Sequence, residues 1–174
     1  MIKKYLNKTS ISVLFIMIIG FIFGIFSTNT IGKLELNVIK NNSSIVKTFI
    51  NAFTLNYWYL FIIWFLAFIP LGFVIIYFIT FFKSCLTGII FGICLKASAI
   101  FGIYQFVGFS ILEILIVFPT LLYLSSKSIN LNFEGKRRML SNGEDYFNVL
   151  IKVTILIIIY AILSCIKMTI LEVQ

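Results

Sequence analysis

Between residues 57 and 79 the chain reads YWYLFIIWFLAFIPLGFVIIYFI, without one charged side chain. A hydrocarbon core about 30 Å thick is crossed by roughly 20 apolar residues of helix at 1.5 Å rise per residue, and this stretch supplies them. Its opening Tyr57, Trp58 and Tyr59 put amphipathic rings where a span meets the headgroups. Pro70 falls in the middle and predicts a kink, because proline removes a backbone donor and clashes with the preceding turn.

The same pattern repeats on both sides. Upstream, Lys3, Lys4 and Lys8 precede an apolar run over residues 11–26 that resembles a secretory signal peptide. No Ala-x-Ala-type site follows it, only Ser27-Thr28-Asn29-Thr30, so the reading is a retained signal anchor spanning about 11–31. Downstream, Phe81-Phe82-Lys83 reads as a short turn into a third span over 84–102, and a turn near Tyr104 and Gln105 leads to a fourth over 106–124. A fifth is predicted over 149–169.

Two segments break the pattern. Over residues 44–56 the apolar Ile45, Val46, Phe49, Ile50 and Phe53 recur at helical spacing opposite Lys47, Thr48, Asn51 and Thr54, which predicts an amphipathic helix lying in the interface. Residues 125–148 hold Lys127, Glu134, Lys136, Arg137, Arg138, Glu144 and Asp145 and read as a loop too small to be a domain. The predicted fold is an all-α integral membrane protein, one membrane domain over residues 1–174. It has about five transmembrane helices and one short amphipathic interfacial helix.

Composition agrees. The chain is 61% hydrophobic and 11% charged, with a mean hydropathy of +1.10, too little polar surface to cover a globule in water. The net charge of +8 comes from basic residues scattered singly or in small groups beside apolar runs, which points to topology signals and away from nucleic acid. With the first residues in the cytoplasm, nine of the 14 basic residues fall inside and five outside. The positive-inside rule then gives an N-in, C-out orientation, with residues 125–148 cytoplasmic.

Histidine is absent, which removes Ser-His-Asp triads, Cys-His dyads and His-containing zinc sites. Cys85, Cys94 and Cys165 have no CxxC spacing and read as packing residues. The expectation is a protein that is not an enzyme and needs no cofactor or metal.

Three groups of residues stand out as candidate sites. Gly20-x-x-x-Gly24 and Gly88-x-x-x-Gly92 each clear one helix face of side chains, extended by Thr28 and Ser84, and predict close helix packing. Glu113 is the single carboxylate in an apolar span, where an ionised group is costly unless paired or hydrated. Lys96 and also Lys167 are predicted at the same face and could snorkel towards it, so Glu113 with Lys96 reads as a polar clamp; an ion-coupling site is the functional alternative. Ile45, Phe49 and Phe53 form the apolar face predicted to dock a partner.

Asn56-Tyr57-Trp58-Tyr59-Leu60-Phe61-Ile62-Ile63-Trp64, then 82–92 as FKSCLTGIIFG, and finally Ser110-Ile111-Leu112-Glu113 resemble the stage II sporulation protein M family. So does the order of features along nearly the whole chain. Many members carry a Pro-His-Gly-hydrophobic-hydrophobic-Glu run; Gly108, Phe109 and Ser110 replace its first three residues here, while Ile111, Leu112 and Glu113 fit. The resemblance implies a non-enzymatic scaffold in the mother-cell membrane of a sporulating bacterium. It would assemble and localise the peptidoglycan-degrading stage II sporulation proteins D and P during forespore engulfment, with membrane lipid around it and homo-oligomerisation left open. The competing reading is a small transporter or permease subunit with Glu113 as its ion-coupling residue.

Overall fold

The computed structural model describes residues 2–28, 45–69, 71–97, 99–134 and 143–172. Among these there is no strand, and the helices are α1 (Ile2–Ser27), α2 (Ile45–Leu66), α3 (Gly72–Ala97), α4 (Ala99–Leu112), α5 (Phe118–Glu134) and α6 (Gly143–Glu172). A single π-helical turn, Glu113–Val117, joins α4 to α5. Five helical stretches are long and apolar enough to cross a membrane: Lys8–Ser27, Phe49–Leu66, Gly72–Lys96, Ser110–Phe133 and Tyr146–Ile166. The all-α, five-span architecture therefore stands, but the joints lie elsewhere than the hydropathy suggests.

The chain turns at residues 67–71 and not at 81–83. Ala67, Phe68 and Ile69 each donate a backbone hydrogen bond three residues back, tightening the end of α2, and Leu71 adopts a left-handed φ of 65°. A Cβ on Gly72 would collide with the Leu66 carbonyl, so glycine is required for the chain to turn this tightly into α3. Asn132 of α5 fastens the turn, its Nδ2 donating to the Ile69 carbonyl at 2.8 Å. Pro70 itself lies outside the described residues. Phe81-Phe82-Lys83 contains no helix breaker and runs through the middle of α3.

The two polar segments are also drawn into the bundle. Residues 45–56 form the first three turns of α2, continuous with its span; Asn56 returns its Nδ2 to the Ala52 carbonyl at 3.0 Å, so its polar side chain does not interrupt the helix. Residues 125–134 extend α5, and Ser125, Ser126, Ser128 and Ile129 are buried. Serine is small enough for close helix approach and can spend its hydroxyl locally, as Ser126 does on the Tyr123 carbonyl at 3.0 Å. The segment between α5 and α6 outside the described residues is 135–142, much shorter than the predicted loop.

Directions follow from the contacts. Gly20 faces Phe81, Gly24 faces Cys85 and Ile89, and Gly92 faces Thr28, so α1 and α3 run parallel. Trp64 stacks on Tyr146, placing the end of α2 beside the start of α6, so these two are antiparallel. Phe106 meets Phe91 and Glu113 meets Lys83, which makes α4 antiparallel to α3. Phe133 then meets Phe73. From Glu113 to Phe133 the helix advances roughly 30 Å while α3 advances only about 15 Å between the matching residues, so α5 must cross α3 obliquely. The cause is local: Pro119 cannot donate to the preceding turn, and the π turn just before it breaks the α-helical register.

That oblique path makes α5 the centre of the bundle, packed on α1, α2, α3 and α6. Leu121 and Leu124 of α5 join Val13, Leu60, Ile63, Ile76, Val153 and Ile157 in a fully buried core. The outer surface is apolar as well: Phe15, Phe26, Phe78 and Leu115 are exposed. In water such a belt would drive aggregation; around a bundle of spans it is the face presented to lipid.

Candidate functional site

Lys83 and Glu113 form the polar centre of the membrane region. Lys83 sits roughly 16 Å along α3 from Gly72 and about 20 Å from Lys96, near the middle of its span. Its Nζ lies 2.6 Å from Glu113 Oε1, with the two side chains 13% and 17% exposed. The same ammonium stands 5.4 Å from the centre of the Tyr59 ring, a cation–π contact from α2. On the α6 side the Tyr160 hydroxyl is in hydrogen-bonding reach of Ser164 and Asn56 and within the field of the Glu113 carboxylate. Four segments, α2, α3, the π turn and α6, thus converge on one ion pair.

The π turn presents the carboxylate. Glu113 is its first residue, and its carbonyl accepts from the Phe118 N–H five residues on. The Thr120 hydroxyl donates to the Ile116 carbonyl at 2.6 Å, occupying one backbone acceptor in the same turn. π turns inside α-helices recur at functional positions because the added residue re-aims one side chain without disturbing the rest of the helix. Here Val117 and Leu121 stay in the core while Glu113 faces Lys83.

The predicted partner of Glu113 was Lys96, and this is corrected: Lys96 is elsewhere. Its Nζ donates to the Thr28 carbonyl at the C-terminal end of α1, where a cation satisfies an orphan acceptor and meets the negative end of the helix dipole. The side chain of Lys167 lies outside the described residues.

The glycines lie between α1 and α3. A Cβ on Gly20 would stand 2.5 Å from the Phe81 carbonyl oxygen; one on Gly24 would collide with the Cys85 carbonyl, and one on Gly88 with the Phe21 carbonyl. At Gly92 it would meet the Thr28 side chain at 2.6 Å. The two backbones therefore touch along this seam.

Of the three residues predicted to dock a partner, Ile45 has a side chain outside the described residues. Phe49 and Phe53 stack at 6.3 Å as the first rungs of an aromatic ladder continuing through Tyr57, Phe61 and Trp64. Phe53 is partly buried, with part of its ring packed against the core.

A second polar knot lies where α2, α5 and α6 meet, at residues sequence reasoning passed over. The Tyr146 hydroxyl is 2.7 Å from Ser128 Oγ and donates to the Trp64 carbonyl at 3.1 Å, while its ring stacks on Trp64 at 5.8 Å. Trp64 Nε1 donates back to the Tyr146 carbonyl at 3.4 Å. Among the described residues no group of three or more His, Cys, Asp or Glu could hold a metal, and Cys85 and Cys94 are buried thiols.

A family model described as stage II sporulation protein M matches residues 13–167. The chain belongs to the stage II sporulation protein M family. The match begins in α1 and ends in α6, so it takes in residues 13–27 of the first span and the whole of the other four, together with the Lys83–Glu113 pair. Membership makes this a sporulation-related protein, and its five candidate spans make it a multi-pass membrane protein. No curated protein and no solved structure matches the chain.

Proposed function

We propose that this member of the stage II sporulation protein M family is a non-enzymatic membrane scaffold that holds and localises peptidoglycan-degrading partners during forespore engulfment. The mother-cell membrane is its proposed site, and the stage II sporulation proteins D and P are the proposed partners. The observation that carries this reading is the family match across all five spans. The geometry is compatible with it: the single intramembrane carboxylate is occupied by Lys83, which suits a clamp that fixes α3 to the α4–α5 unit. The chain has no histidine, the side chain most often used as a general base.

A scaffold works by presenting a fixed surface, and rigidity at the centre of the bundle serves that task. The test is recovery from sporulating cells in mild detergent. The tagged chain should bring down both hydrolases, and should do so after the cell-wall substrate is digested away. Clean insertion of the tagged chain with neither hydrolase in the crosslinked eluate would refute the proposal.

A further inference from the structure

The ion pair is surrounded by more hydrogen-bonding capacity than the protein side chains use. The Lys83 ammonium carries three donors. Among the described residues it meets one acceptor, Glu113 Oε1, and the face of Tyr59. One turn from Tyr59 on α2, Asn56 is 5% exposed, and its Oδ1 has no hydrogen-bond partner although its Nδ2 is used. The Tyr160 hydroxyl, able to donate and accept, is in hydrogen-bonding reach of Asn56 and Ser164 and within the field of Glu113. A buried group left unsatisfied is destabilising, and more so when it is charged. In a hydrocarbon surrounding, no bulk water relieves that cost.

Unmet donors on one side and an unmet acceptor on the other call for a molecule that does both, and water is the smallest. Buried water settles where two to four polar groups converge on a polar site. Lys83 and Glu113 each retain some accessible surface, so the pair is not sealed by side chains. We infer that the Lys83–Glu113 pair is hydrated in the membrane, with at least one ordered water accepting from Lys83 Nζ and donating to Asn56 Oδ1, beside the Tyr160 hydroxyl. Such a water lets the two charges separate slightly without either facing lipid.

Water-edited solid-state NMR of the full chain in deuterated-lipid bilayers reads this directly. Signals of Lys83 Nζ and the Asn56 side-chain amide should gain magnetisation from water several-fold faster than Ile63 and Ile76, which are fully buried. Asn56→Leu should slow the gain at Lys83; where that variant does not fold, Tyr160→Phe provides the second measurement on the same cluster. Transfer to Lys83 and Asn56 as slow as to Ile63 would overturn the inference, as would an unchanged rate at Lys83 in the folded variants.

Discussion

Removing one partner of the Lys83–Glu113 pair is expected to destabilise the protein more than removing both. In Lys83→Met the Glu113 carboxylate keeps its place in the π turn and loses the cation that lies 2.6 Å away. Breaking a fully buried pair from one side costs about 3–5 kcal/mol, and a lone charge at mid-span costs roughly 2.5–3.5 kcal/mol on insertion scales. Water at the pair lowers these figures, so about 2 kcal/mol is expected for Lys83→Met and for Glu113→Leu. The double variant leaves no charge and should lose only about 1 kcal/mol, giving a coupling energy of about 3 kcal/mol. Reversible unfolding by SDS in mixed micelles, followed by far-ultraviolet circular dichroism, measures all four states. A second cycle pairing Lys96→Met with Glu113→Leu should be additive, because Lys96 serves the end of α1. Additive losses at Lys83 and Glu113, or coupling through Lys96, would refute this account of the cluster.

Gly24→Leu drives a side chain into the Cys85 carbonyl and should lose about 2–3 kcal/mol in the same unfolding assay. Gly108→Ala, with nothing within 4 Å of the added Cβ, should be neutral or gain up to about 1 kcal/mol from helix propensity. Tyr146→Phe keeps the ring on Trp64 but removes the hydroxyl that joins Ser128 to the Trp64 carbonyl, for an expected loss of about 1–2 kcal/mol. Leu71→Gly relieves a left-handed φ at an exposed position and should raise the SDS midpoint, equivalent to about 1 kcal/mol.

The reach of sequence reasoning shows in which of its steps the structure moved. Hydropathy over 57–79 is continuous, so Pro70 reads as a kink inside one span, and the lysine at position 83 reads as a loop residue because a charge normally leaves the membrane. The misplacement of Lys83 has a tertiary origin. Lys83 stays within its span because Glu113 neutralises it, and a pairing between residues 30 positions apart leaves no mark on local hydropathy. The available signal was a lone basic residue in one apolar run facing a lone acidic residue in another. The serines of 125–128 mislead in the same way, reading as loop polarity when all three are buried, Ser126 bonding within its own helix and Ser128 to Tyr146.

By itself the sequence determined the solvent, the helical class and the number of spans, because each depends on composition and on apolar length set against a fixed membrane thickness, while its residue motifs carried the family. It also singled out the glycines, since a missing side chain is legible wherever it sits. Only the tertiary structure decided where the chain turns, that α5 crosses the bundle obliquely, and that Glu113 belongs to Lys83 while Lys96 caps α1. Those outcomes depend on which groups meet across helices, and in lipid, with no hydrophobic force between spans, close packing and the few polar pairs choose the partners.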